Sequence, residues 1–181
     1  RTIEISHPTP EKVVKPPHIF TEFGQYTFAE SGANIYSVIG KKQQNDSELW
    51  YMIDNSFITS LPDAWGIGER FILLAANHWD NPYHRVNIGG LTCDSMDYYN
   101  SEVHVRQVFL PKFPAEEPLV LGFFYTGAYQ EALAGYGGIK HCLVPGVKHV
   151  LVDVNDEGEF VYKVFSDEQS ADSMLKILGY E

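Results

Sequence analysis

The rhythm of apolar and polar positions changes several times along the chain, and the changes predict a mostly β protein with a helical preface. Residues 1–17 carry prolines at 8, 10, 16 and 17 and read as linker or loop, because Pro fixes φ and removes a donor. Residues 18–22 predict a short strand ending at Gly24. Over 27–39 the apolar residues Phe28, Ala33, Ile35, Val38 and Ile39 fit a helical period, with Gly40 suited to its end. After a polar turn at 41–47 the period falls to two. Residues 49–54 are apolar on both faces, as in a covered strand. Further strands are predicted at 70–75, 84–88, 104–110, 119–125, 149–154 and 159–165. The last two flank Asn155-Asp156-Glu157-Gly158, a hairpin-like loop. Residues 127–135 predict one short helix, and Tyr136-Gly137-Gly138 reads as a turn. Ser166-Asp167-Glu168-Gln169 has the form of a capping box that opens a final helix ending near Gly179.

Composition narrows the function classes. A chain of 181 residues can bury the core of one ordinary domain. The net charge of −11 argues against nucleic acid or an anionic membrane as partner, since both need basic patches. No apolar run approaches the roughly 18 residues of a membrane span. Cys93 and Cys142 form no C-x-x-C pair and no disulfide framework, which favours a reducing, cytoplasmic setting. His78 and His84 are six apart and His141 adjoins Cys142, but nothing completes a ligand set, so no metal is expected. There is no G-x-S-x-G elbow and no Walker A loop. The chain opens on Arg1 rather than Met and is expected to be a piece of a longer protein.

Four segments, in order, carry a resemblance. They are Thr21-Glu22-Phe23-Gly24-Gln25; Asp54-Asn55-Ser56 with Ser60-Leu61-Pro62-Asp63-Ala64-Trp65-Gly66; Thr92-Cys93-Asp94-Ser95-Met96-Asp97; and Leu121 through Gly127-Ala128-Tyr129-Gln130-Glu131. Together they resemble the alanine-racemase-like, pyridoxal-phosphate-dependent decarboxylases, which join an (α/β)8 barrel to a β domain. The second and fourth look specifically like the branch that decarboxylates arginine. The resemblance implies that residues 1–43 hold a linker and the last βα unit of the barrel, and that 44–181 form a carboxy-terminal Greek-key β domain with short helices. The rest of the barrel, with the lysine that binds the cofactor, would lie upstream; none of the nine lysines here sits in that context.

The resemblance also assigns roles, each with a physical reason. Glu22 would face the pyridine nitrogen and hold it protonated, which makes the ring a stronger electron sink. Gly24, Gln25, Gly127 and Tyr129 would lie on the cofactor side. At Gln25 many relatives carry Arg, and an amide donates to a phosphate without charge. Cys93 would return a proton to Cα after carbon dioxide leaves; a thiol with pKa near 8.5 is largely protonated at neutrality, the state a donor needs. Asp94, with Asp54 as second candidate, would take the guanidinium of L-arginine through paired hydrogen bonds. Asp97 is expected to be structural. Cys142 matches no motif and is expected to be a buried, inert cysteine. A homodimer with shared sites is implied, Cys93 and Asp94 reaching into the partner's barrel. Ornithine, lysine or diaminopimelate as substrate, or a non-catalytic module that kept the β domain, are the alternatives.

Overall fold

The computed structural model describes residues 16–99, 108–133, 135 and 137–180. Its centre is a six-stranded, nearly closed, barrel-like sheet formed by β1 (Ala33–Asn45), β2 (Glu48–Ile53), β3 (Ile72–Ala75), β4 (Tyr83–Gly89), β5 (Val108–Pro111) and β6 (Val120–Phe124). The order is β3-β6-β1-β2-β4-β5. β2 and β4 run parallel and the other neighbours antiparallel, so β6 returns late in the chain to lie between β1 and β3. A separate hairpin pairs β7 (His149–Val154) with β8 (Phe160–Ser166), turning at Gly158 with φ +82°. Short helices fill the connections: α1 (Gly24–Phe28), α2 (Phe57–Ser60), α3 (Pro62–Gly66), α4 (Gln130–Leu133) and α5 (Ala171–Ile177), with 3-10 turns at Ala29–Ser31 and His141–Leu143. No helix among the described residues is long and apolar enough to cross a membrane.

The predicted strands at 49–54, 70–75, 84–88, 119–125, 149–154 and 159–165 are all present within one or two residues. Of the strand predicted at 104–110, residues 104–107 lie outside the described residues, as do 1–15, Ala134 and Tyr136. Three expectations need correction. The helix over 27–39 does not form: α1 stops at Phe28, and β1 begins at Ala33 and crosses position 43 as one strand. Tyr36 and Val38 are buried while Ile35 and Ile39 are 57% and 58% exposed, which is the two-residue period of a strand. Ile35, Val38 and Ile39 are β-branched and stiff at χ1, so backbone pairing with Leu121 and Gly122 suits them better than a helix. The preface is thus a one-turn helix leading into a sheet strand. The strand at 18–22 is also absent. Ile19 and Phe20 are 83% and 92% exposed there, and no neighbouring strand among the described residues takes their backbone hydrogen bonds. The last helix is capped by Ser170, whose Oγ accepts the Ser173 N–H at 3.1 Å; Ser166 ends β8 instead.

The core lies inside the sheet. Tyr51, Tyr99, Phe57 and Phe123 are almost wholly buried, and Tyr99 and Phe123 pack edge to face with centroids 4.8 Å apart. Three tyrosine hydroxyls are buried with partners. Tyr36 donates to Ser60 Oγ at 2.6 Å, Tyr51 meets His84 Nε2, and Tyr99 accepts the Phe71 N–H at 2.8 Å. Burial pushes all three phenols up, that of Tyr51 to about 12. Unfolded tyrosines ionise near 10, so their stabilising effect is complete below that pH. Above it the unfolded chain loses protons that the fold retains, and stability falls as pH rises toward 12. For the fully buried Tyr36 the loss is about 1.4 kcal/mol per pH unit. Urea midpoints are therefore expected to drop between about pH 10 and pH 12, with late-titrating phenolate absorbance. A midpoint constant over that interval would contradict this packing.

Candidate functional site

The segment after β4 is built as a tied loop with a free tip. Gly90 N–H donates to the Asp97 carbonyl at 2.9 Å, and Leu91 N–H to the Asn55 carbonyl at 3.0 Å. The buried Asp97 carboxylate holds the loop's base. Oδ1 accepts the Phe57 N–H at 2.7 Å, and Oδ2 accepts the Thr92 N–H at 2.9 Å and the Thr92 hydroxyl at 2.6 Å. Gly90 is required beside it, since a Cβ there would lie 2.3 Å from Asp97 Oδ1. This is the structural role expected of Asp97, and it joins the 54–66 segment to the 92–97 segment.

Cys93 and Asp94 stand on the tip. Cys93 is exposed, and its thiol pKa is pushed up, first by the hydrogen bond with Cys142 and then by that group's charge. A thiol so placed stays protonated at neutral pH. Asp94 Oδ1 accepts the Met96 N–H at 2.8 Å, which fixes the side chain, and Oδ2 lies 3.8 Å from His141 Nε2. Cys142 is not buried, as expected, but exposed, with its Sγ 3.7 Å from that of Cys93 and 3.4 Å from His141 Nε2. The 3-10 turn carries it there because Cys142 and Leu143 both take left-handed φ, 53° and 56°.

A second group of residues surrounds a cleft of about 960 Å³ between the main sheet and the hairpin. Gly127, Ala128 and Tyr129 line it, together with Glu131, Lys148 and His149. Tyr129 is 52% exposed and has φ 67°, so the backbone turns sharply just where the ring enters the cleft. Gly127 owes its lack of a side chain to this chain's own backbone: a Cβ would sit 2.1 Å from the Phe28 carbonyl oxygen and 2.8 Å from Gly32 N. Glu131 binds the buried Lys140 Nζ and accepts from or faces His149 Nε2 at 2.8 Å. Gln130 is 2% exposed and donates to Asp63 Oδ2 at 2.9 Å, linking the 60–66 and 121–131 segments.

The remaining expected residues lie apart. Asp54 is exposed and accepts the Ser37 N–H at 3.0 Å. Glu22 is exposed in the irregular lead-in, and Gly24 opens α1 with free space around it. Gln25 Nε2 donates to both carboxylate oxygens of Glu69, at 2.7 and 2.8 Å. No hydrogen bond among the described residues joins the Cys93–Asp94 tip to Glu22, Gln25 or Tyr129. Sequence reasoning missed Cys142, His141 and Glu69 as neighbours of these residues. The adjacent His141-Cys142 pair was the one available signal. No group of three or more His, Cys, Asp and Glu among the described residues could hold a metal ion.

No protein-family model matches the chain. The biosynthetic arginine decarboxylase of Proteus mirabilis is 31% identical over 157 residues, covering 84% of this chain and 24% of the relative. That of Photorhabdus laumondii is 33% identical over 148 residues, covering 79% and 22%. This chain thus spans about a quarter of the length of the curated relatives it matches. Among solved structures, diaminopimelate decarboxylase from Helicobacter pylori complexed with L-lysine superposes with a TM-score of 0.63 at 16% identity, over 86% of this chain and 34% of that one. At that identity the likeness is one of fold. Over most of its length, then, the chain is a homologue of the biosynthetic arginine decarboxylases and is folded like part of a diaminopimelate decarboxylase.

Proposed function

We propose that this chain is the carboxy-terminal part of a pyridoxal-phosphate-dependent enzyme that converts L-arginine to agmatine and carbon dioxide. The observation that carries the reading is the pairing of an exposed thiol, Cys93, with a fixed carboxylate, Asp94, on a loop tied down by Asp97, within a chain about 30% identical to biosynthetic arginine decarboxylases. Pyridoxal phosphate, when bound, supplies the electron sink that allows the α-carboxylate to leave. The residues present fit it in part. Glu22 is exposed and could pair with a ring nitrogen, and Tyr129 presents its ring at the wall of a cleft. Gly24 leaves room for a close approach. Gln25 could reach a phosphate only by releasing Glu69, and the open space beside Gly127 is already taken by the Phe28–Gly32 backbone. Cofactor binding on this chain therefore rests mainly on Glu22 and Tyr129.

In this reading Cys93 holds a proton at Sγ and delivers it to the substrate Cα after carbon dioxide leaves. Asp94 binds the guanidinium, with Asp54 as the second candidate for that contact. Cys93 and Asp94 would serve the barrel of a partner subunit in a homodimer, and the upstream barrel would supply the cofactor lysine. The enzyme would act in the cytoplasm, in polyamine biosynthesis.

The test is product formation by the full-length protein. Agmatine is expected from arginine, with ornithine, lysine and diaminopimelate turned over far more slowly. Asp94→Asn keeps the shape but loses the charge and one acceptor. A charged hydrogen bond is worth about 1.5–3 kcal/mol, so kcat/KM for arginine is expected to fall roughly tenfold to hundredfold with cofactor affinity unchanged. A collapse of cofactor affinity at constant arginine kcat/KM would move Asp94 to the cofactor site.

A further inference from the structure

The two cysteines of the chain are 49 residues apart in sequence, yet their sulfurs lie 3.7 Å apart at the surface. Two features of the fold bring this about, and a third assists the chemistry. Asp97 and Gly90 anchor the loop under Cys93. The consecutive left-handed residues Cys142 and Leu143, a conformation that non-glycine residues adopt rarely, turn the second thiol toward the first. His141 Nε2, 3.4 Å from Cys142 Sγ and 3.8 Å from Asp94 Oδ2, stands ready to take a proton from that thiol. A disulfide needs an S–S distance of about 2.05 Å, so the sulfurs need close by roughly 1.7 Å, a movement within reach of two exposed loop side chains.

We propose that Cys93 and Cys142 form a reversible intramolecular disulfide, a redox modification site that withdraws the Cys93 thiol. The oxidant is a low-molecular-weight disulfide of the glutathione class. Cys142 gives its proton to His141, and its thiolate attacks one sulfur of the oxidant, breaking that S–S bond and releasing one glutathione thiolate. Cys93 then attacks the Cys142 sulfur of the mixed disulfide and expels the second glutathione. The two cysteine protons end on the two departing thiolates, so one oxidant is reduced to two thiols and one protein disulfide forms. In a reducing compartment such a bond would be transient and regulatory rather than structural. Its effect on catalysis rests on the proposed role of Cys93 as proton donor; its formation does not.

The experiment equilibrates the full-length enzyme in glutathione buffers of rising oxidised fraction, and follows peptide mapping and arginine decarboxylation together. The expected result is a peptide linking Cys93 to Cys142 within one chain, with activity falling in proportion to the linked fraction and returning with dithiothreitol. In Cys142→Ser, whose activity is measured first in the fully reduced state as its own reference, no second thiol captures the mixed disulfide. Modification of Cys93 there should need at least tenfold more oxidised glutathione. Separate mixed disulfides on the two cysteines of the wild type, or a link only between chains, would overturn the proposal. A linked enzyme that remains fully active would confirm the bond and instead overturn the catalytic reading of Cys93.

Discussion

Replacing Cys93 with Ala in the full-length enzyme is expected to lower kcat by about 10²–10⁴-fold, the usual contribution of a positioned general acid, while arginine KM changes little. The asymmetry follows from where the thiol acts. Cys93 stands on an exposed loop tip and touches Cys142 rather than any core residue, so its removal leaves no cavity. Asp94, which in this reading binds the substrate's far end, keeps its Met96 N–H contact and its orientation. Binding is therefore preserved and the proton-return step is lost. A distinct variant is also informative: Cys93→Ser keeps size and a donor but gives up much of the acidity, and should recover only a small part of the rate. Parallel stopped-flow and steady-state assays would check both. A Cys93→Ala enzyme with unchanged kcat would reduce the residue to a surface thiol.

How much of this was legible in the sequence depends on how far away each deciding contact lies. β2, β7 and β8 were readable because their own residues carry the signal: continuous or alternating apolar runs bounded by turn residues such as Asn155 to Gly158. The stretch 27–39 was misread because Phe28, Ile35, Val38 and Ile39 satisfy a helical period and nearly satisfy a strand period. Its state is set by antiparallel pairing of Ile35 with Gly122 and Tyr36 with Leu121, partners far along the chain that local pattern does not reveal. The capping serine was misplaced by four residues for a similar reason. Ser166 and Ser170 are both followed by suitable helix starts, and Ser166 is claimed by the register of β8 against His149.

The site divides in the same way. Asp97 could be recognised as structural from its motif, although its partners Phe57 and Thr92 could not be named. The engagement of Gln25 with Glu69, 44 residues on, and of Cys93 with Cys142 depends on loops whose conformation is fixed by glycine contacts and left-handed residues, which leave little trace in a hydrophobic pattern. Cys142 was assigned to the interior on the general tendency of cysteines to be buried; only the course of the 137–144 loop puts it outside.

Asp97→Ala is expected to destabilise the β domain more than any change at the loop tip, by roughly 3–5 kcal/mol. The carboxylate accepts two backbone N–H groups, those of Phe57 and Thr92, and the Thr92 hydroxyl. Alanine leaves the Phe57 N–H buried without its partner at the start of α2 and releases the Thr92 end of the loop, at about 1–3 kcal/mol for each orphaned donor. Against a total stability of about 5–15 kcal/mol for a domain, that is a large fraction. Asp97→Asn keeps one acceptor oxygen but turns an N–H2 toward one of the donors, so it should recover less than half of the loss. Urea unfolding would show the midpoint falling with the slope unchanged, as for a loss of stability without a change in surface exposed. The same variants should slow formation of the Cys93–Cys142 link at a fixed glutathione ratio, because the loop that holds Cys93 beside its partner is no longer tied at its base. A midpoint within about 0.5 kcal/mol of wild type would show that Asp97 does not anchor the loop.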